Sequence, residues 1–440
     1  MLKNANKKIL YSLLLMTFLF SMGSQAFASN ASDNWPMFRH DLTHAGYSSS
    51  TPTTVASALL WNFTTNIPVS ASPTIVDGKV YIGSLGGIAY CLNASDGSQI
   101  WNYTVQARTQ GRYGAGAPAI GSSMAVAGGY VYFGSYDRNV YCLDAGTGEK
   151  VWNYSTGNTV ESSPSVSNGY VYVGSWDGNV YCLDALTGSK IWNYTTGNLV
   201  ESSPAIVDGK VYVGSVDNNV YCLDALTGDK IWSYKTGNLV QSSPAVVDGR
   251  VYIGSEDMNV YCLDASTGAQ LWNFSALGWV DSSPAVVNGY VYVGCTVVDS
   301  QQNDLPSNLY CLDASTGEKV WNYTMKGGAS YSSPAVAGGL LYMGDWANNV
   351  FCLDASTGAE NWIYTTKAHV NSSPAVANGI VYIGSWDHKI YAFGVQPAAA
   401  SPLFNLSQEN TYLIVVAISA AIIIAALFVI LRRRRSKSTG

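Results

Sequence analysis

The chain has 440 residues, of which 48% are hydrophobic and only 12% charged, and this apolar composition excludes an intrinsically disordered protein. The formal net charge at pH 7 is -6, but eight of the 23 basic residues lie at the two ends of the chain. The long middle part therefore carries 15 basic against 29 acidic residues, the wrong balance for a nucleic-acid-binding surface. We expect no nucleic-acid partner.

The chain begins with the pattern of a secretory signal peptide. Lysines precede an apolar run from Ile9 to Met22, and Ala26-Phe27-Ala28 supplies the small residues of a cleavage site. We predict a signal peptide at 1–28, and Ser29 is then the first mature residue. An uncleaved signal anchor is the alternative, which is disfavoured because the apolar run is short for a membrane span.

Residues 29–58 form a lead-in segment ahead of the repeats described next. Within it His40 and His44 are four residues apart with Asp41 beside them, a spacing that suits a metal ion only in a helix. Two histidines without a third ligand make a weak site, so we predict no metal site here.

Residues 59–394 contain one unit that recurs about every 40 residues, seen most cleanly between Glu201 and Tyr234. Periods of this size are typical of solenoids and propellers. Short apolar runs alternate with D-G, S-x-D-x-N and D-A-x-T-G turns, which predicts four β-strands per unit. In the unit that follows Glu201 these are strand a (SSPAI), strand b (KVYVGS), strand c (NVYCLDA) and strand d (KIWSY).

Strand d carries one tryptophan in each unit, and the count of units is therefore eight. These residues are Trp61, Trp101, Trp152, Trp192, Trp232, Trp272, Trp321 and Trp362. Large apolar side chains at one repeated position are typical of packing between blades. The last unit lacks strand d, whereas Trp61 precedes the first strand a. We therefore predict an all-β, eight-bladed β-propeller of four-stranded antiparallel blades, with its ring closed by an N-terminal strand from Leu59 to Phe63.

Two other repeated residue types have structural interpretations. An aspartate opens the D-A-x-T-G turn, where its carboxylate accepts backbone N–H bonds, in six units: Asp144, Asp184, Asp224, Asp264, Asp313 and Asp354. Seven cysteines lie on strand c, and the eighth, Cys295, ends strand b of the sixth unit. Equivalent positions on neighbouring blades are too far apart for disulfides, so we expect buried free thiols, and without a C-x-x-C motif we expect no zinc site.

The b–c hairpins and the d–a connections share one face of such a propeller, which we call the upper face. All the insertions into the repeat fall on it, and the residue before S-S-P varies there from unit to unit. Variable loops on a rigid scaffold commonly carry function, and acids among aromatics suit a cation, a sugar or a basic peptide; unconstrained variation at exposed turns is the alternative. The predicted binding residues are Glu161, Glu201, Gln241, Asp281, Tyr331, Asn371, Tyr136, Trp176, Trp346, Trp386, Arg108 and Arg112.

The C-terminal part predicts a membrane anchor. After a linker at 395–411, the predicted transmembrane helix at 412–431 has no charge from Leu413 to Leu431, a stretch of about 29 Å. The arginines of the tail at 432–440 belong in the cytoplasm by the positive-inside rule, so we predict a single-pass cell-membrane protein with its propeller outside and its lower face toward the membrane. Ten sequons suit a glycosylated exterior: Asn30, Asn62, Asn93, Asn102, Asn153, Asn193, Asn273, Asn322, Asn371 and Asn405.

The repeat G-S-x-D-x-N-x-Y-C-L-D-A-x-T-G-x-x-x-W resembles that of the pyrroloquinoline-quinone (PQQ)-type β-propellers, and the segment from Trp35 to Asp41 resembles the one that precedes the blades in that family. The similarity runs from about Trp35 to Gly394. The family includes quinoprotein alcohol dehydrogenases and the BamB outer-membrane assembly lipoproteins. The resemblance is therefore specific for fold and much less so for function.

The dehydrogenases of this family imply PQQ with calcium, a catalytic aspartate and, in many members, adjacent half-cystines. This sequence has no Cys-Cys pair and no nucleophile or phosphate-loop motif. We therefore expect no catalytic residues and no cofactor, and we predict a non-catalytic scaffold that binds a protein or glycan partner on the cell surface. A sugar- or cation-binding surface receptor is the alternative, and a PQQ-dependent dehydrogenase is less favoured.

Overall fold

The computed structural model of the chain describes residues 33–50, 58–106, 118–298, 304–328 and 331–394. In these ranges every regular element is a β-strand, and none of them contains a helix with the length and apolarity that crossing a bilayer requires. The predicted signal peptide, linker, transmembrane helix and basic tail lie outside the described residues.

Eight sheets of antiparallel strands form the blades, which confirms the predicted all-β, eight-bladed propeller. Strands a to d of blades 1 to 4 are Thr74–Val76, Lys79–Gly83, Ile88–Asn93 and Gln99–Thr104; Ala125–Ala127, Tyr130–Gly134, Asn139–Asp144 and Lys150–Ser155; Ser165–Ser167, Tyr170–Gly174, Asn179–Asp184 and Lys190–Thr195; Ala205–Val207, Lys210–Ser215, Asn219–Asp224 and Lys230–Lys235. Those of blades 5 to 7 are Ala245–Val247, Arg250–Gly254, Asn259–Asp264 and Gln270–Ser275; Ala285–Val287, Tyr290–Gly294, Ser307–Asp313 and Lys319–Met325; Ala335–Ala337, Leu340–Gly344, Asn349–Asp354 and Glu360–Thr365.

Blade 8 joins the two ends of the repeat region. Its strands a to c are Ala375–Ala377, Ile380–Ser385 and Lys389–Phe393, and its outer strand is Leu59–Thr64. That outer strand pairs antiparallel with strand c, with Leu59 opposite Phe393. The N-terminal strand therefore closes the ring, as the unequal ends of the repeat predict.

Two additions and one shortening distinguish the blades from the predicted pattern. A short strand, Tyr47–Ser48, pairs parallel with strand a of blade 7, so that sheet has five strands. The insertion of blade 6 forms a hairpin of Val297–Val298 and Asp304–Leu305. Strand a is three residues long and begins after S-S-P, with Ala71 in place of the first serine in blade 1 and Met124 in place of the proline in blade 2. Where the proline is present it has no N–H to donate, and the serines bond to the neighbouring blades instead.

The core lies between adjacent blades. Strands c are buried on both faces, whereas in most strands d only the tryptophan is buried. Trp152 of blade 2 donates its indole N–H to the carbonyl of Ala185 in the D-A-x-T-G turn of blade 3 at 3.0 Å, and Tyr132 donates its hydroxyl to the same carbonyl at 3.2 Å. The tryptophan bond recurs at seven interfaces. Blade 7 lacks it, because blade 8 ends before such a turn.

The aspartate that opens each turn accepts the backbone bonds that its position predicts. In blade 3, Asp184 Oδ1 accepts the N–H groups of Leu186 and Thr187 at 3.0 and 2.8 Å. These hydrogen bonds stabilise the charged carboxylate and lower the pKa of the equivalent Asp264 to about 2, with the hydroxyl of Ser266 contributing most.

A ring of serines links all the blades close to the axis. The N–H of Ser163 donates to Ser203 Oγ at 2.9 Å, and the equivalent bond joins each blade to the next around the circle. The last of these bonds runs from the N–H of Ser373 in blade 8 to Ser72 Oγ in blade 1 at 2.9 Å. We call these eight residues the serine ring: Ser72, Ser123, Ser163, Ser203, Ser243, Ser283, Ser333 and Ser373.

The eight cysteines are buried and free, as predicted. Burial raises the pKa of the Cys182 thiol to about 12, so the group is neutral and unreactive at neutral pH.

Most of the sequons within the described residues lie on strand d with the asparagine exposed: Asn62, Asn102, Asn153, Asn193, Asn273 and Asn322. Asn93 is half-buried at the end of a strand c. Asn371 is only 8% exposed, so its predicted use as a glycan acceptor does not agree with the folded structure. Asn30 and Asn405 lie outside the described residues.

Candidate functional site

The described part of the lead-in segment, residues 33–50, lies beneath the inner strands and closes the lower end of the central channel. Its carbonyl groups accept N–H bonds from the inner strands of blades 2, 4, 5, 6 and 7, and Trp35 pairs with Ile75 of blade 1. Because strand a descends from S-S-P to the a–b turn, bonds to its second residue lie on the lower side. The accepting carbonyls belong to Pro36, Leu42, Thr43, Ala45 and Gly46.

The side chain of Arg39, which belongs to this segment, lies in the channel and is 2% exposed. Its guanidinium donates to the carbonyls of Pro284, at 2.9 Å, and Pro334. Burial lowers its pKa to about 9, and the negative charge of Asp41 only partly opposes this shift.

The two histidines of the lead-in segment are not arranged as a helical pair, since both have positive φ angles. His44 is buried, and its Nε2 lies 3.3 Å from Ser165 Oγ, whereas His40 lies 3.3 Å from Asp41. Burial lowers the pKa of His44 to about 3, so this side chain is a neutral part of the core.

Above the segment, the channel opens to the upper face as a cavity of about 440 Å³, which we call the cup. Phe38 contributes to its lining from below, and the residue two positions before the serine-ring residue contributes from every blade. These eight residues are Ser70, Gly121, Glu161, Glu201, Gln241, Asp281, Tyr331 and Asn371. The b–c turns add Leu85, Tyr136, Trp176 and Trp386.

The structure thus gathers nine of the twelve sequence-predicted binding residues in one cavity. Trp346, a tenth, lies beside it, with its ring centroid 6.5 Å from that of Tyr331. Arg108 and Arg112 lie outside the described residues. Sequence reasoning missed Phe38, Leu85, Glu256 and His369. Glu256 occupies the b–c turn position of Trp176, so the repeat register was a usable signal for it, whereas nothing in the repeat points to Phe38.

The carboxyl groups lie close enough to oppose each other's ionisation. Burial raises the pKa of Glu201 to about 8, assisted by the negative charges of Glu161, Asp281 and Glu256. Burial and the charge of Glu256 raise the pKa of Asp281 to about 7, and burial also raises the pKa of Glu161. Gln241 Nε2 donates to Glu201 Oε2 at 2.7 Å. At neutral pH the cup therefore holds carboxyl groups that are partly protonated.

Several polar atoms at the cup have no hydrogen-bond partner among the described residues. Asp281 Oδ1 and Asn371 Oδ1 are buried acceptors, and the indole N–H groups of Trp176 and Trp346 are buried donors. Buried polar groups are normally paired, so such atoms mark a place where a ligand or water completes the bonding.

Aromatic rings flank the acids in two groups. Tyr136 and Trp176 lie with centroids 6.1 Å apart in blades 2 and 3. In blades 7 and 8, His369 lies 5.9 Å from Trp346 and 6.3 Å from Trp386. The cup is therefore an acidic cavity with aromatic walls.

An eight-bladed ring of this repeat, with a plugged lower end and an open upper cavity, defines a PQQ-type repeat propeller. The family model described as outer membrane protein assembly factor BamB matches residues 54–162, 111–238, 217–302 and 306–402. These matches cover more than half of the chain, and the chain belongs to this family. The resemblance inferred from the repeat is thereby confirmed.

Curated relatives include proteins with two different activities. The BamB outer membrane protein assembly factor of Salmonella typhimurium is 33% identical over 102 residues, which are 23% of this chain and 26% of that protein. A quinohemoprotein alcohol dehydrogenase of Comamonas testosteroni is 27% identical over 129 residues, 28% of this chain and 18% of that protein. The chain thus spans about a quarter or less of the curated relatives it matches.

Similarity to solved structures extends over most of the propeller. The crystal structure of BamB from Moraxella catarrhalis has a TM-score of 0.64 at 19% identity, covering 80% of this chain and 100% of that chain. This likeness concerns the fold. Because the relatives include both an assembly factor and a dehydrogenase, similarity alone does not distinguish a catalytic from a non-catalytic role. The chemistry of the cup residues bears on that distinction.

The described residues of the cup do not fit PQQ with calcium. PQQ is a tricarboxylate, whereas Glu161, Glu201 and Asp281 line the cup and no Lys or Arg does so among the described residues. Ionised carboxyl groups of the cup and of PQQ carry charges of the same sign, which oppose each other in one buried cavity. Within the described ranges, no three His, Cys, Asp or Glu side chains approach each other closely enough to hold a metal ion.

Proposed function

We propose that this chain is a non-catalytic binding propeller of the cell surface, anchored by its C-terminal helix, whose cup receives a partner. One observation carries the proposal. The residue at the cup differs in nearly every blade, whereas the serine two positions later is present in all eight. The scaffold is thus uniform up to the cup wall and becomes specific there, as expected of a binding surface built on a repeat.

The membrane anchor and exported location rest on the sequence patterns at the two ends of the chain. The last described residue is Gly394, and a Cβ placed on it would lie 3.3 Å from the carbonyl oxygen of Gly379 in the a–b turn. The described part of the chain therefore ends on the face opposite the cup.

Site-specific photo-crosslinking of the full chain in membranes tests this proposal. A photoreactive residue at Trp386, on the cup, should form a discrete adduct, and one at Leu186, which is 66% exposed in a c–d turn on the lower face, should not. The double variant Glu201→Gln/Asp281→Asn should weaken the adduct. The exposed pair Glu149→Gln/Glu318→Gln also replaces two carboxyl groups with amides and should leave the adduct intact. Adducts of equal strength from both faces would contradict the proposal.

The catalytic alternative has its own assay. Purified full chain supplied with PQQ and calcium should show no dye-linked oxidation of primary alcohols or sugars. Protein-dependent oxidation that is lost in Glu201→Gln/Asp281→Asn would replace the binding role with a dehydrogenase.

A further inference from the structure

We infer that the cup binds a primary ammonium group, seated among the carboxyl groups with its carbon chain against the opposite wall. The inference rests on the proposed binding role of the cup and specifies the chemistry of what enters it. The same chemistry is presented by a free alkylamine and by a lysine side chain of a partner protein.

The distribution of charge around the ring favours a cation. Glu161, Glu201 and Asp281 belong to blades 3, 4 and 6, and Glu256 adds its charge from the b–c turn of blade 5. No lysine or arginine side chain lines the cup within the described ranges. Arg39, beneath it, directs its guanidinium to proline carbonyls of blades 6 and 7.

The unpartnered acceptors indicate a ligand rich in hydrogen-bond donors. Asn371 lines the cup, is 8% exposed, and has an Oδ1 atom without a partner among the described residues. Asp281 Oδ1 is a second buried acceptor in the same condition. An ammonium group offers three donors and no acceptor, so it satisfies such atoms without introducing an unpaired acceptor of its own.

The hydrogen bond between Gln241 and Glu201 favours ammonium over guanidinium. Glu201 Oε2 accepts from Gln241 at 2.7 Å, so this carboxylate has only one oxygen free of a side-chain partner. Guanidinium groups are recognised best by two parallel bonds to one carboxylate. Single acceptors from different blades instead suit the tetrahedral donors of an ammonium group.

The wall opposite the acids suits an alkyl chain. In an eight-membered ring, blade 8 stands opposite blade 4 and blade 1 opposite blade 5. Trp386 and Leu85 of blades 8 and 1 therefore face Glu201 and Gln241 across the cup, and Phe38 contributes apolar surface from below. The indole and phenol rings also offer faces that attract a cation.

Binding should release protons. The ionisable groups around the cup are the four carboxyl groups, the hydroxyls of Tyr136 and Tyr331, and the ring of His369 at the rim, with Arg39 beneath. The pKa values of Glu201 and Asp281, about 8 and 7, lie above those of ordinary carboxyls, mainly through burial. An ammonium group favours their charged forms, so its affinity should rise by up to about tenfold per pH unit for each proton released as the pH increases from about 6 to 8.

Calorimetric titration of the purified full chain tests the inference. The probes are n-butylamine, its neutral analogue n-butanol, the blocked peptide acetyl-Gly-Lys-Gly-amide, and calcium chloride. Butylamine should bind at one site and n-butanol should not. The variant Glu201→Gln/Asp281→Asn should weaken butylamine binding by about tenfold or more, whereas the exposed control Glu149→Gln/Glu318→Gln should not change it. Asn371→Leu serves as a second cup variant if the double variant fails to fold.

Each outcome separates the inference from the proposed function. Binding of butylamine and the peptide assigns a lysine side chain as the source of the ammonium group, and binding of butylamine alone assigns a free amine. Failure of both probes while the crosslink at Trp386 persists would overturn the ammonium inference and leave the binding role intact. Saturable calcium binding without amine binding would also overturn it. If the full chain showed neither amine binding nor a crosslink at Trp386, the proposed function would be overturned as well.

Discussion

Gly188 illustrates how a single residue of the repeat is constrained twice. Its φ of +71° lies in the left-handed region, and an added Cβ would come within 2.7 Å of the Trp152 ring. Gly209, in an a–b turn, has a similar φ of +70° but nothing within 4 Å of its Cβ position. Both positions therefore need a glycine for its positive φ angle, and only Gly188 also needs one because a larger side chain would clash with a neighbour.

We expect Gly188→Ala to lower the free energy of unfolding more than Gly209→Ala does. Both substitutions force alanine into the left-handed region, at about 1–2 kcal/mol. Gly188→Ala also crowds the indole of Trp152, for about 1–3 kcal/mol more. Denaturant unfolding of the full chain measures the difference, and equal losses would show that the turn does not hold the tryptophan tightly.

The cup carboxyls predict an unusual dependence of stability on pH. A carboxyl group whose pKa is raised by folding binds more protons in the folded state than in the unfolded state. Its contribution to the stability of the folded state is complete below its unfolded pKa of about 4. That contribution is lost as the pH rises through the folded pKa. For Asp281 and Glu201 those folded values are about 7 and 8.

We therefore expect the thermal midpoint of the ligand-free chain to fall as the pH rises from about 6.5 to about 8.5. Below that range the lowered pKa of His44 acts in the opposite direction, because the unfolded chain then binds the proton that the folded chain excludes. Glu201→Gln/Asp281→Asn should flatten this fall, because neither replacement titrates. Scans at several pH values, with Glu149→Gln/Glu318→Gln as the exposed control, provide the measurement. Identical slopes in all three proteins would show that these carboxyls titrate normally.

At the level of strands, the repeat predicts most of the fold because the same pattern of apolar runs and turns occurs in eight units. The alternation of apolar runs and turns located strands b, c and d. The length of strand a was harder to predict, because nothing in SSPAI separates the serines and the proline from the strand that follows them. The structure assigns its serines to contacts between blades and leaves three residues in the strand, such as Ala205–Val207 in blade 4.

The lead-in segment was the element least open to prediction. It binds the inner strands through backbone carbonyls, such as that of Leu42 to the N–H of Ile206, and carbonyls leave no signature in a sequence. The cup was easier, because its residues occupy one register position of the repeat. Phe38 escaped notice since it reaches the cup from a segment that does not repeat.

At the scale of the whole molecule, the serine ring ties every blade to both neighbours by the same short bond. Ser203→Ala would leave the N–H of Ser163 without its acceptor in a buried position. We expect a loss of about 1–3 kcal/mol in the free energy of unfolding. Ser233→Ala, on exposed strand d of the same blade, should change it by less than about 0.5 kcal/mol. Denaturant titration compares the two, and an equal effect would deny the ring a role in stability.

The closure of blade 8 also imposes a delay during synthesis, because its outer strand is made long before the strand with which it pairs. Thr65, at the end of the outer strand, bonds to His388, and these residues are 323 positions apart in the chain. At about 5–20 residues per second, the outer strand waits roughly 15–65 s for its partner to leave the ribosome. During that interval Trp61 can reach Ala94 in blade 1, but the outer strand has no strand c of blade 8 to pair with. In a newly made chain the edge of this outer strand is therefore open to misassociation, and a holding chaperone that covered it would act before the ring closes.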